Sequence, residues 1–140
     1  EKTDFDVLKF VREIESGDYE SFFRRLTAFF AGVPYDLAAG LDMERHYQNI
    51  LFIIFRIFGF YTHVEYHTSQ GRVDLVLQTD HFTYVMEFKL DGTAEEALRQ
   101  IDEKHYAAPF ANDRQRKLFK VGVNFSKETH GIEKWIVEEL

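Results

Sequence analysis

Two runs of alternating apolar and polar residues predict a β-hairpin in the middle of the chain. The runs are Arg72–Gln78 and Thr83–Lys89, and a short polar turn separates them. Side chains alternate between the faces of a strand, so a two-residue loop of Asp80 and His81 makes one face of the hairpin wholly apolar. A slip of one residue in the strand pairing would place the polar side chains of one strand on the face that forms the core. A slip of two residues stays open, because Asp-His is not a favoured pair for this turn.

The polar face of the hairpin brings charged groups together at one end. In this register Asp74 lies directly opposite Glu87, and Lys89 points to the same side. Like charges placed opposite each other are destabilising unless something neutralises them. Hard cations such as Mg²⁺ bind one or two carboxylates together with phosphate oxygens. The pair therefore predicts a divalent metal site, with Lys89 placed to hold a phosphate or a nucleophilic water.

Helical periodicity predicts two helices at the start of the chain. The first is Thr3–Glu15 with Thr3 as its cap, and the second follows Asp18 and ends at Gly32. The second helix carries a stripe of large apolar side chains that we expect in the core: Tyr19, Phe22, Phe23, Leu26, Phe29 and Phe30. We interpret the pair as an appended helical hairpin, residues 1–40, and expect it to dock onto a neighbouring domain.

A third helix, Asp42–Phe58, is the longest and is apolar nearly all round. We therefore expect it to be buried between the sheet and the first two helices, with the aromatic stripe packed against Phe52, Ile53 and Ile57. Glu44 stands in its first turn, on the side directed at the sheet. A carboxylate there also favours the positive end of the helix dipole, so its position has a purely structural explanation as well.

The remaining pattern completes an α/β chain with a mixed sheet flanked by helices. A capping box of Thr93 and Glu96 starts a helix that we expect to reach about Ala108, before Pro109. The other predicted elements are a strand at Phe60–His67, a strand at Leu118–Phe125, and a strand or short helix at Ile132–Val137.

Composition limits the class of protein. The 140 residues are enough for one domain with a proper core, and a hydrophobic content of 45% excludes disorder. There is no cysteine, which excludes disulfides and thiolate metal sites and fits a cytoplasmic protein. No signal peptide is visible, and the longest apolar run, Ile50–Phe55, is too short to span a membrane. The first residue is Glu rather than Met, so we expect a domain excised from a longer chain.

The net charge of −7 argues against nonspecific nucleic-acid binding, because such proteins usually carry a basic patch. An unmetallated carboxylate site contributes to that negative charge, so a nuclease is not excluded. The main basic cluster consists of Arg114, Arg116, Lys117 and Lys120. It is either a phosphate-binding surface or a solvated loop and strand start.

The charged hairpin resembles a known catalytic signature. Asp74, followed by Glu87-Phe88-Lys89, resembles the D…(D/E)-x-K motif of the PD-(D/E)XK nuclease superfamily, with Val73 in place of the usual proline. Further segments resemble a bacterial group in which this domain commonly follows an AAA-ATPase-like domain. Those segments are Gly71–Asp74, Gln100-Ile101, Lys104–Ala107 and Val121–Ser126, and the resemblance extends from about Phe22 to Trp135.

The resemblance implies a restriction-endonuclease-like core at residues 41–140, after the helical extension at 1–40. It implies a Mg²⁺- or Mn²⁺-dependent nuclease acting on DNA, as the C-terminal domain of a larger ATPase-like protein. Asp74 and Glu87 would bind the metal, and Glu44 would join them. Lys89 would orient or deprotonate the attacking water, and Gln100 would position the water or the scissile phosphate. Neither a membrane role nor an oligomeric state is implied.

Three interpretations stay open at this stage. The domain is either a nuclease or a non-cleaving nucleic-acid-binding or interaction module that retains the nuclease fold. In a third interpretation, Asp74, Glu87 and Lys89 form only a structural salt-bridge cluster, although buried networks of that kind are rarely better than apolar packing. This chain contains no Gly-rich phosphate loop, so it offers no nucleotide site of its own.

Overall fold

A five-stranded sheet carries the polar hairpin at its centre. The computed structural model describes residues 6–33, 43–69 and 72–140. The strands are β1 (His63–Ser69), β2 (Arg72–Gln78), β3 (Phe82–Leu90), β4 (Lys117–Ser126) and β5 (Gly131–Glu139). The helices are α1 (Val7–Ser16), α2 (Tyr19–Ala31), α3 (Met43–Phe58) and α4 (Ala94–Glu103), and a 3₁₀ turn follows at Ala108–Phe110.

The sheet is mixed, as the sequence predicted. Its spatial order is the chain order, β1 to β5, with β3 and β4 parallel and the other pairs antiparallel. A parallel pair needs a crossover connection, and α4 with the loop after it supplies one. The helices flank the sheet and two of them precede the long helix, so the predicted α/β, restriction-endonuclease-like architecture with an N-terminal helical hairpin is confirmed.

The β2–β3 hairpin has the predicted register, with Asp74 opposite Glu87 and Val73 opposite Phe88. Its turn contains an unfavoured Asp-His pair and is held instead by Thr79. The Thr79 hydroxyl accepts hydrogen bonds from the backbone N–H groups of His81 and Phe82, at 3.3 and 3.0 Å. A buried side chain therefore replaces the usual turn residues, and the slip by two residues does not occur.

The two faces of the sheet carry different layers. One face of the hairpin is wholly apolar and packs under the three N-terminal helices in one large core. The Tyr84 hydroxyl on this face donates to the Ile14 carbonyl at 2.7 Å, which ties α1 to β3. The opposite face carries Asp74, Glu87 and Lys89, and α4 covers part of it with Ala94, Ala97 and Ile101 buried.

The predicted burial of α3 on all sides is wrong. Phe52 and Ile53 are 45% and 57% exposed. The three N-terminal helices share one layer on the sheet, so α3 has the sheet on one side and an open surface on the other. The aromatic stripe of α2 packs on the sheet rather than on that surface, with Phe23 stacked on Trp135 of β5 at 5.3 Å between ring centroids.

Several element ends differ from the predicted ones. Helix α1 begins behind Asp6, whose carboxylate accepts from the Leu8 N–H, while Thr3 and Asp42 lie outside the described residues. Strand β1 begins at His63 rather than Phe60, because the N–H groups of residues 61 and 62 still bond to the last turn of α3. The terminal element is a strand.

Helix α4 stops at Glu103 and does not reach Ala108 as predicted. His105 has a left-handed φ of 58°, and the Tyr106 N–H donates to the Ile101 carbonyl at 3.1 Å. This pattern is a helix-ending motif that usually uses glycine, which is why no stop was visible in the sequence. In the described ranges, no helix has the length and apolar character needed to cross a membrane.

Candidate functional site

The hairpin presents two carboxylates that are poorly satisfied by hydrogen bonds inside the fold. Glu87 is fully buried and Asp74 is half-buried. Among the described residues, Asp74 Oδ1 and both carboxylate oxygens of Glu87 have no hydrogen-bond partner. Unpaired buried carboxylate oxygens are strongly unfavourable unless a cation or a proton satisfies them. The donor set, two carboxylates on one face with three free oxygens, fits a hard divalent cation.

The proton affinity of Glu87 reflects this environment. Burial, and after it the neighbouring charge of Asp74, raise the pKa of Glu87 to about 7 against the opposing effects of Arg72, Lys89 and Lys104. Near neutral pH the Glu87 carboxyl is therefore close to half-protonated. A metal that binds there must displace a proton, so binding should strengthen as pH rises.

In the described part of the chain, three cations act on the Glu87 carboxylate, namely Arg72, Lys89 and Lys104, and only Lys89 was predicted as a site residue. Lys89 lies two positions after Glu87 on β3 and therefore on the same face of the sheet. Its Nζ lies 3.5 Å from Oε1 of Gln100 on α4. Arg72, directly opposite Lys89, places Nε 3.5 Å from Glu87 Oε2 with its side chain 19% exposed. The predicted residues Lys89 and Gln100 are thus brought together. The signal for Arg72 was its alternation with Asp74 along β2.

A glycine lets α4 approach the site. Gly122 on β4 lies next to Glu87 in the parallel pairing. A Cβ at Gly122 would collide with the Ala94 carbonyl oxygen and, at 2.7 Å, with the Leu98 backbone nitrogen. The missing side chain allows α4, the helix that carries Gln100, to lie directly on the strand.

Tyr106 is a further residue that sequence reasoning missed. The turn at His105 ends α4 and directs the chain back over β2. Burial, the charge of Asp74 and a hydrogen bond to that carboxylate together raise the pKa of the Tyr106 hydroxyl. The segment Lys104–Ala107 carries part of the family resemblance, but no periodicity indicated that Tyr106 would reach Asp74.

Glu44 lies in the first turn of α3, where its Oε2 accepts from Gln48 Nε2 at 3.5 Å. It lines a narrow gap that Arg72 and Lys89 also border. Within the described ranges, no group of three or more histidine, aspartate or glutamate side chains is arranged to hold a metal ion. Asp74 and Glu87 therefore form a two-carboxylate site in this structure, with Glu44 near its edge.

Asn124 fixes the turn that follows Lys89. It is 3% exposed, its Oδ1 accepts from the Gly92 N–H at 2.9 Å, and its Nδ2 donates to Glu133 on β5 at 3.0 Å. The Gly92 turn in turn lies against the Lys89 side chain, since a Cβ there would meet Lys89 Cε at 2.9 Å. A buried amide thus holds the end of β3 in place.

The basic cluster is largely engaged within the fold. Arg116 Nε donates to the Thr79 carbonyl at 2.7 Å, and Lys117 Nζ pairs with Glu139 at 2.9 Å. Lys120 pairs with Asp102 and Glu138. These contacts favour the structural interpretation of the cluster, which lies at the start of β4, beside Phe82 rather than Lys89.

Comparison with known proteins identifies the family. A sequence model of the PD-(D/E)XK nuclease superfamily matches residues 42–135, which is more than half of the chain. The match contains the carboxylate hairpin, Lys89, α4 and β4.

A curated relative is similar to most of this chain. It is an uncharacterized protein from the vnfD 5′ region of Azotobacter chroococcum mcd 1, 28% identical over 130 residues. The similarity includes 89% of this chain but only 25% of the relative, so the chain spans about a quarter of that protein's length. No solved structure matches the chain significantly.

Proposed function

This chain belongs to the PD-(D/E)XK nuclease superfamily, and on that premise we propose that it is a metal-dependent nuclease that hydrolyses phosphodiester bonds of DNA. The observation that carries the proposal is the opposed pair of Asp74 and Glu87 with three unpartnered oxygens. A fold that leaves such a pair uncompensated is destabilised by it, and a bound cation removes that penalty.

In this proposal Asp74 and Glu87 would hold Mg²⁺ or Mn²⁺, and Glu44 of α3, which is not grouped with them in the described structure, would join them only when the ion is bound. A divalent cation supplies Lewis-acid polarisation of the phosphate and a lowered pKa for water. Glu87 releases its proton when the site is loaded, because its raised pKa keeps that proton near neutral pH in the free protein.

Lys89 orients or deprotonates the attacking water and stabilises the negative charge that develops on the phosphate. Gln100 Oε1, 3.5 Å from Lys89 Nζ, positions the water or the scissile phosphate. Arg72 lies beside both Glu87 and Lys89, and we assign it a phosphate contact once a metal ion has taken over the neutralisation of Glu87. No covalent intermediate is needed.

The direct test combines metal titration by calorimetry with cleavage of plasmid and single-stranded DNA. Asp74→Asn and Glu87→Gln should lose metal binding and cleavage together, because each removes a ligand. Lys89→Ala should keep or increase metal affinity, since a competing positive charge is gone. Its cleavage rate should fall by about 10²–10³-fold, the range for loss of one group that stabilises developing charge. Gln100→Ala should be milder, because it removes a neutral group.

Glu20→Gln is the matched control, since Glu20 is an exposed carboxylate on α2. Its loss should change neither the metal affinity nor the cleavage rate. Wild-type protein that binds no divalent metal would overturn the nuclease assignment and favour the salt-bridge cluster.

A non-cleaving binding module is the second candidate. The net charge of −7 and the internal pairing of the basic cluster favour its interaction-module form, because both weaken the electrostatic basis for binding DNA at all. Metal binding without cleavage of any nucleic acid would select this function.

We also propose that these residues form the C-terminal domain of a longer, ATPase-like cytoplasmic protein. The support is that the curated relative is about four times as long as the part it shares with this chain. The ATPase-like neighbour and the bacterial setting come from the resemblance of the sequence motifs, and the cysteine-free composition suits a reducing compartment.

A further inference from the structure

We propose that the cleft beside Asp74 binds one unpaired nucleobase of the substrate strand, so that the enzyme acts on single-stranded or locally unpaired DNA. This inference rests on the proposed nuclease function and specifies its substrate class. The cleft has a volume of about 220 Å³ and lies between β1, β2 and the loop that follows α4.

The walls of the cleft are apolar and aromatic. Val76 and Val85 contribute from the sheet, and Tyr106, Pro109 and Phe110 contribute from the loop. Sites for whole drug-sized ligands are roughly 300–1,000 Å³, so this cleft suits a single ring system rather than a complete nucleotide. Aromatic side chains provide stacking surfaces that accept any base.

The charges at the cleft opening select the base over the phosphate. Two carboxylates, Glu65 and Asp74, border the cleft together with His67. When a metal ion neutralises Asp74, Glu65 still borders the cleft as a carboxylate, and it favours a neutral base there over an anionic phosphate. Exocyclic amino groups of cytosine and adenine can also donate hydrogen bonds to a carboxylate.

The cleft is continuous with the proposed metal site, because Asp74 belongs to both. Tyr106 and Asp74 both line the cleft, so the aromatic wall lies beside the carboxylate pair. A phosphate held at Asp74 and Glu87 therefore places the base of a neighbouring nucleotide at the cleft opening. Tyr106 and Phe110 are both half-buried and also pack against the core between α4 and the sheet, which keeps the wall in place.

A base stacked inside a duplex cannot enter this cleft. It must first leave the stack, at a free-energy cost that is smallest for single-stranded or mismatched DNA. The cleft therefore predicts a preference for unpaired substrate that the carboxylate pair alone would not impose.

The test measures binding separately from cleavage. A fluorescein-labelled, mixed-sequence DNA oligonucleotide, single-stranded or fully paired, is titrated by fluorescence anisotropy against Lys89→Ala protein with Mg²⁺. The single strand should bind tighter than the duplex. Adding Phe110→Leu keeps an apolar side chain but removes the ring, and should weaken single-strand binding roughly tenfold, the effect of losing one base stack. Adding Phe60→Leu is the matched control, since Phe60 is 81% exposed and lies off this cleft.

A single strand in which every residue is abasic gives a second result that needs no variant in the cleft. It should bind more weakly than the intact strand by at least a similar factor. Equal binding of single strand and duplex, equal binding of the abasic and intact strands, or an unchanged Phe110→Leu affinity would each overturn the base-binding cleft. Metal-dependent cleavage with no strand preference would overturn the base-binding role of the cleft but support the nuclease function. Strand-selective binding with no cleavage by wild type would support the base-binding role of the cleft but overturn the nuclease function.

Discussion

At the residue scale, the chemistry of the site is governed by the burial of Glu87. Its carboxylate is 0% exposed and faces Asp74, with Arg72 Nε 3.5 Å away. A single ion-pair contact without hydrogen-bond geometry does not compensate a buried charge. The protein therefore keeps Glu87 partly protonated in the absence of metal, and this has a measurable consequence for stability.

Replacing Glu87 by Gln should stabilise the metal-free protein at alkaline pH. The folded-state pKa of Glu87 is raised from 4.5 to about 7, so wild-type stability is fully present below pH 4.5 and declines as pH rises through about 7. The loss amounts to roughly 3 kcal/mol when pKa units are converted at 1.36 kcal/mol each. Glu87→Gln cannot ionise and should escape this loss. Urea unfolding in chelator at pH 5 and pH 8 measures the difference.

The exposed carboxylate variant Glu20→Gln serves as the control and should show no such pH-dependent gain. If wild type and Glu87→Gln lose stability in parallel between pH 5 and pH 8, the buried-charge account of this residue is wrong.

At the element scale, the N-terminal helices behave as one layer that covers the apolar face of the sheet. Phe22 meets Phe58 of α3 at 5.9 Å, while Phe23 and Phe30 reach β5 and β4 through Trp135 and Phe125. The helical hairpin thus contributes to the main core. The outer surface of α3, with Phe52 and Ile53, lies outside that core.

The same substitution on the two helices should have very different effects. Phe23→Ala removes a 0% exposed ring stacked on Trp135 and should lower the free energy of unfolding by about 3–5 kcal/mol. Phe52→Ala removes a ring that is 45% exposed and should have a much smaller effect. Denaturant unfolding of both variants checks this. Equal losses would mean that the exposed surface of α3 is part of the core after all.

At the scale of the whole molecule, the acidic balance conflicts with binding a polyanion. The net charge is −7, and three of the four residues in the basic cluster pair with carboxylates or a carbonyl inside the fold. Like charge between protein and DNA slows encounter and weakens binding. A divalent cation at the carboxylate pair would remove two negative charges where the phosphate must lie.

DNA binding should therefore depend on metal. Lys89→Ala protein, which leaves the carboxylates intact, should bind an oligonucleotide at least about tenfold tighter with Mg²⁺ than with chelator, since metal replaces repulsion by attraction at the phosphate. Fluorescence anisotropy at fixed ionic strength measures this. Asp74→Asn in the same background should abolish the difference. Equal affinity with and without metal would argue that DNA approaches another surface.

The residue pattern alone predicted the sheet hairpin and most of the element order. Alternation with period two fixed which side chains of β2 and β3 share a face, because a slip of one residue would bury charge, and so Asp74 was correctly placed opposite Glu87. Glycines, caps and periodicity likewise indicated four helices and located them to within a few residues, apart from the end of α4.

The surroundings of Asp74 and Glu87 depend on contacts between elements that are distant in sequence. The end of α4 depends on a left-handed His105, a conformation not encoded by a distinctive residue, and it alone brings Tyr106 to Asp74. The exposed surface of α3 and the contact of Arg72 with Glu87 depend on how layers pack and on how far a long side chain extends. Local pattern specifies the direction of a side chain along its own element, whereas its partners come from elements distant in sequence, and no periodicity records them.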